Sequence, residues 1–177
     1  MDTLRRRPLV VTVDRWTAAR MLIGVECTDP SAFLDRAAAQ GLGIAVGAAR
    51  SDLSRVVRAA HEVGLPVAVV VDPSIPVDIA QRVADMIEAI VLVSPPRTLS
   101  PLTHGTLDKM LTARRFLDAG GCDVALGLLG ASPLNAALVI EAGADLLISA
   151  GADLVGVRQA VEDELSLQRM LRPALAR

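Results

Sequence analysis

Aromatic side chains are almost missing from this chain. Tyrosine is absent, and Phe, Trp and Tyr together make only 2% of the 177 residues. The core must therefore be assembled from Val, Leu, Ile and Ala. The same shortage removes the stacking platforms on which single-stranded nucleic acid is held. A net charge of −2, from 18 basic and 20 acidic residues, adds no basic surface for a phosphate backbone. Long apolar runs are missing too: mean hydropathy reaches +0.45, yet no run approaches the ~18 residues that read as a membrane span. Arg5-Arg6-Arg7 has the look of a signal-peptide start, but the apolar stretch Pro8–Val13 behind it is short and meets a charge at Asp14. Cysteine is scarce, and Cys27 and Cys122 stand far apart at strand-like positions. Buried free thiols in a reducing compartment are the expectation. The chain is expected to be soluble and cytoplasmic, with no nucleic-acid and no membrane partner.

What is present is a repeated alternation of strand and helix signals. The stretch from Glu141 to Gly151 shows the unit most clearly. A helix ends on Ala142-Gly143, where glycine can take the left-handed cap. Leu146-Leu147-Ile148 follows without alternation, as in a strand buried on both faces. Ala150-Gly151 then leaves bare amides before the next helix, a place where an anion can sit. Strands are expected over Pro8–Val13, Met21–Glu26, Gly43–Gly47, Pro66–Val71, Ala89–Val93, Cys122–Leu126 and Asp145–Ser149. Helices are expected from Asp29-Pro30 to Gln40, from a Ser51 cap to Val63, over Pro76–Met86, Thr106–Ala119 and Pro133–Ala142, and from Asp153 to about Leu171. No linker divides the sequence, and its length suits one domain with a sizeable core. The pattern is that of an α/β fold with a mainly parallel sheet. A full eight-stranded barrel needs ~200 residues or more, so the chain is about one βα unit short.

The C-terminal ends of the strands carry the candidate site residues, because active sites of parallel α/β folds form there. In order these are Asp14, Glu26, Arg50, Asp72, Ser94 and Ser149, with Arg97 and His104 in the loop Ser94–Gly105. Asp14, Glu26 or Asp72 is a candidate for acid/base work and Arg97 for a phosphate contact. The commoner role of such residues is to end a strand or cap a helix, and each is also read in that way.

From about Thr28 to Gly156 the chain resembles the ribulose-phosphate 3-epimerases of the ribulose-phosphate-binding barrel superfamily. The resemblance is carried by Asp29-Pro30-x-x-Phe33 and by Val71-Asp72-Pro73-Ser74-Ile75-Pro76, similar to the family's L-N-P-x-T-P. It continues through Ile90 to Pro95, Thr106-Leu107-Asp108-Lys109, Glu141 to Asp145, and Ser149 to Ala152 at the family's G-S-A turn. It implies a (β/α) barrel of TIM type, shortened to about seven βα units, as one domain over residues 1–177. It also implies an isomerase of pentose-phosphate carbohydrate metabolism that binds a phosphorylated sugar. Asp14 is then the catalytic candidate that the resemblance supports, beside Asp72 from its strand end; Gly130, Ala150 and Gly151 are the phosphate-binding candidates, with Arg97 replacing lost amide contacts by charge.

The departures from the family fall on its chemistry. Epimerisation there uses two opposed aspartates and a divalent metal that stabilises the enediolate. The two metal-binding histidines fall here near Gly24 or Val25 and at Val46 or Gly47. The aspartate of the D-G-G motif falls at Leu128, or at Gly127 with a gap. Only Asp14, in Val11-Thr12-Val13-Asp14, echoes the family's H-V-D. No metal and no cofactor is expected, and epimerase activity is expected to be weak or lost. The alternatives are a phosphosugar-binding or partner-binding relative without catalysis, and a structural subunit that pairs with further copies of itself.

Overall fold

Val67-Ala68-Val69-Val70-Val71 has no polar side chain to offer water, and it lies inside a sheet with a parallel neighbour on each side. The other strands are likewise apolar, apart from Thr12 and Ser149 at two strand ends. The structure, a computed structural model, describes residues 9–12, 21–23, 30–94, 104–149 and 151–175. Within these residues the strands are β1 (Leu9–Thr12), β2 (Met21–Ile23), β3 (Gly43–Gly47), β4 (Val67–Val71), β5 (Ala89–Val93), β6 (Ala125–Ala131) and β7 (Leu146–Ser149). They form one sheet in the order β1-β7-β6-β5-β4-β3-β2, every pair parallel. This is chain order taken round a circle, the arrangement of a TIM-type barrel with seven strands instead of eight. The helices are α1 (Pro30–Gln40), α2 (Leu53–Glu62), α3 (His104–Gly120), α4 (Ala136–Glu141) and α5 (Leu154–Leu175), with 3-10 segments at Val77–Met86 and Gly151–Asp153.

The strands bury different residues on their two faces. Ile44, Val46, Val67, Val69, Val71, Ile90, Leu92, Leu126, Leu128 and Leu147 pack with helix residues such as Phe33, Val57, Met110 and Val157. The opposite face joins only strand residues: Ala45, Ala68, Val91 and Ile148, flanked by Val70, Ala89, Leu129 and Leu146. That inner face is filled with side chains, as expected of a small barrel. Its small residues leave little room: a Cβ on Gly127 would meet the Leu146 side chain at 3.3 Å.

Alternation fails in β6. Its pairing with β7 slips between Leu129 and Ala131, and Gly130 there has φ +94°. This is a bulge of the kind glycine favours. Below it Leu128 faces the helices and Leu129 the inner side; above it Ala131 is back among the helix-side residues.

The Glu141–Asp145 stretch has a structural explanation. Gly143 takes φ +100°, and a Cβ there would lie 2.7 Å from Cδ of Arg114, so only glycine lets α3 come this close. Asp145 then ties three elements together. Its Oδ2 accepts from the Leu126 amide at 3.0 Å and from Arg114 Nη1 at 3.0 Å, while its own amide donates to the Leu126 carbonyl at 2.7 Å.

Several expected boundaries are corrected. The sixth strand runs Ala125–Ala131, not Cys122–Leu126, because hydrogen bonding to β5 and β7 carries it through Gly127 and over the Gly130 bulge. Cys122, a partly buried free thiol, therefore sits in the connection before the strand. The helix expected over Pro76–Met86 is present as a 3-10 helix over Val77–Met86. The helix expected over Pro133–Ala142 shrinks to α4, because Ser132 to Asn135 form a turn. His104 opens α3 instead of lying in a loop. Asp52, not Ser51, is the cap residue of α2, and its side chain makes no cap hydrogen bond.

Candidate functional site

Parallel pairing brings every strand's C-terminal end to one mouth, and register decides which turns meet there. Thr12 of β1 and Ala131 of β6 both pair with Ser149, the last residue of β7. Ser149 is fully buried between them. The bulge at Gly130 and the 3-10 segment that opens at Gly151 thus stand at the same end of adjacent strands. Gly130 also abuts β5: a Cβ on it would lie 3.0 Å from that of Ser94, whose amide donates to the Leu129 carbonyl at 2.8 Å.

The turn after β6 is built to be rigid. Asn135, 2% exposed, accepts the Ser132 amide on Oδ1 at 2.8 Å and turns its amide nitrogen toward the Gly130 carbonyl at 3.5 Å. Helix α5 passes so close that a Cβ on Gly156 would lie 2.6 Å from Cγ of Pro133. Asn135 escaped the sequence reading, although an Asn three residues past Ser132 is the signature of a side chain returning to the backbone.

Among the carboxylates, Asp72 continues the alternation of Ala68 and Val70, one residue beyond β4, and is partly buried at the mouth. Its turn is held by Lys109 of α3, whose Nζ donates to the carbonyls of Asp72 at 3.3 Å, of Ile75 at 2.7 Å and of Pro73. Lys109 was noticed in the sequence only as part of a motif. Arg50 is taken up by the fold: it grips Asp52 through Nε at 2.9 Å and Nη2 at 3.2 Å. That guanidinium, helped by Arg55, holds the Asp52 carboxyl below its ordinary 3.8. Asp14, Arg97 and Ala150, with Glu26, lie outside the described residues.

The described positions that match the family's metal and acid/base residues carry no suitable donor. Val46 packs among helix-side residues, and Gly47 ends β3 with no side chain. Leu128 is fully buried on the helix side, so the inner positions of β6 before the bulge are Ala125, Gly127 and Leu129. Among the described residues, no three His, Cys, Asp or Glu side chains gather to hold an ion. At these described positions the residues do not fit the family's metal. Among the same residues no helix is long and apolar enough to cross a membrane. An open groove of about 360 Å³ on the outside of α2, lined by Ser54, Arg55, Arg58, Ala59 and Glu62, lies on a helix surface rather than at a strand end.

Comparison with known proteins agrees with this architecture. A mutant tryptophan synthase alpha-subunit from Pyrococcus furiosus superposes with a TM-score of 0.55 at 18% identity, covering 90% of this chain and 66% of that one. At that identity the likeness is one of fold, the TIM barrel. Ribulose-phosphate 3-epimerase of Serratia marcescens is 32% identical over 101 residues, which are 55% of this chain and 48% of that protein. The match thus spans about half the length of this curated relative. The model of the Ribulose-phosphate 3 epimerase family matches residues 21–154. The chain belongs to the ribulose-phosphate 3-epimerase family.

Proposed function

We propose that this protein binds a phosphorylated sugar at the mouth of its barrel, within pentose-phosphate carbohydrate metabolism in the cytoplasm, and epimerises it weakly or not at all. The phosphate lies between the Gly130 turn and Gly151, where backbone amides and the start of α5 favour an anion. Arg97 and Ala150 complete that site in this reading. Asp72 and Asp14 are the groups able to take a proton from the carbon beside the sugar carbonyl.

One observation carries the catalytic half of the reading. The inner face of β6 offers Ala125, Gly127 and Leu129, and the alternative position Leu128 is turned into the helix layer. Inversion at carbon needs a proton removed from one face and another delivered to the opposite face. A hydrocarbon on the delivering strand leaves the second half without a donor, and a positioned acid or base contributes ~10²–10⁴-fold. Turnover of ribulose 5-phosphate, assayed with divalent metal added, is therefore expected at least ~10³-fold below a competent family enzyme. A thermal-shift titration with the same sugar phosphate should still report binding, and Gly151→Glu should remove it. Turnover at the family's level that Asp72→Asn or Asp14→Asn abolishes would defeat this reading. Binding with no turnover at all would identify a phosphosugar-binding relative. A mass measurement in solution tests assembly into a homo-oligomer.

A further inference from the structure

Seventeen of the 18 basic residues are arginine; Lys109 is the single lysine of the chain. It occurs where an arginine would not serve. The segment Asp72-Pro73-Ser74-Ile75-Pro76 contains two prolines, which have no N–H to give, so its carbonyls outnumber its donors. The Ile75 amide satisfies part of the deficit by donating to the Asp72 carbonyl at 3.0 Å. The carbonyls of Asp72, Pro73 and Ile75 converge on one point, and Lys109 Nζ occupies it. An ammonium has three N–H bonds directed from one atom, whereas a guanidinium spreads its donors across a plane. Three donors therefore meet three acceptors.

We propose that Lys109 is a positioning residue: a tethered cation that fills a three-carbonyl site and so fixes where Asp72 stands at the barrel mouth. Removing the side chain leaves a site whose chemistry suits a small ammonium ion from solution. The consequence for catalysis rests on the role given to Asp72 above; the lock itself does not.

A single lysine makes the test direct. In protein labelled with ¹⁵N-lysine, one side-chain ammonium signal should appear, its hydrogens exchanging with water ~10-fold or more slowly than those of free lysine. In Lys109→Met, hydrogen exchange at the Ile75 amide should quicken by ~10-fold or more, with β6 and β7 unaffected. Methylammonium should restore part of the protection. Tetramethylammonium, which has no N–H, should not restore it at the same ionic strength. A freely exchanging ammonium in the unaltered protein, or unchanged Ile75 protection in the variant, would overturn the lock. If Lys109→Met does not fold, the ammonium signal of the unaltered protein decides alone. Ribulose 5-phosphate turnover is read separately. A lock that behaves as expected beside turnover indifferent to Asp72→Asn would overturn the role of Asp72 and leave the lock standing.

Discussion

Leu128 and Leu129 are neighbours of the same type, yet they answer to different surroundings. Leu128→Asp puts a carboxylate into the dry layer between sheet and helices, where an unpaired charge costs several kcal/mol. We expect that variant to be insoluble or unfolded by circular dichroism. Leu129→Asp places the same group on the inner face near the mouth, where Leu129 is only partly buried, and it should stay folded. The reverse ranking would mean that the faces of β6 have been assigned the wrong way round. Acid offers a second residue-level check. Asp52 has its pKa lowered chiefly by Arg50 and then by Arg55. A lowered folded-state pKa adds stability above the unfolded value and loses it as pH falls through the lowered one. The urea midpoint should therefore decline below about pH 4, and Asp52→Asn should flatten part of that decline. Salt should reduce the difference between the two proteins, since the cluster is partly exposed. Sequence reading could name Arg50 as a polar strand end but could not see Asp52 closing over it. A bidentate pair two residues apart depends on the turn between them.

At the scale of elements, strands of unbroken apolar residues were plain in the sequence, and so was the helix end at Gly143, with its positive φ. What was not legible was β6. Two glycines within Ala125–Ala131 read as a strand that stops early, whereas hydrogen bonds from both neighbours hold it in place. Tertiary pairing overrode local propensity. The close crossing of α5 over the turn after β6 was equally hidden, because Gly156 looks like any weak spot in a helix. Gly156→Ala makes a better helix by up to ~1 kcal/mol, but its methyl meets the Pro133 ring. Overpacking of that kind costs about 1–3 kcal/mol, so we expect a lower melting temperature. A higher one would show that the turn yields freely and is not held as described.

At the scale of the molecule, the described strands form one continuous parallel sheet in which each βα unit leans on its neighbours, and among the described residues no unit has a core of its own. One cooperative unfolding transition is expected for residues 1–177, with a calorimetric enthalpy of about 120 kcal/mol near 60 °C if the entire chain takes part. Two resolved transitions, or half that enthalpy, would show that only part of the chain folds as a unit. The family's chemistry was readable mainly as gaps: small or apolar residues stood where donors were expected. Whether those gaps faced the mouth was beyond the sequence, since a one-residue shift swaps the two sides of a strand. The Gly130 bulge gives that shift a lasting meaning. It acts as a change of phase, so that residues before and after it obey opposite parity. In a strand so built, gaining or losing one residue exchanges what that strand displays at the mouth for what the helices had covered. Descent with insertions and deletions can therefore silence or re-equip such a barrel in a single event, where point substitution would need several.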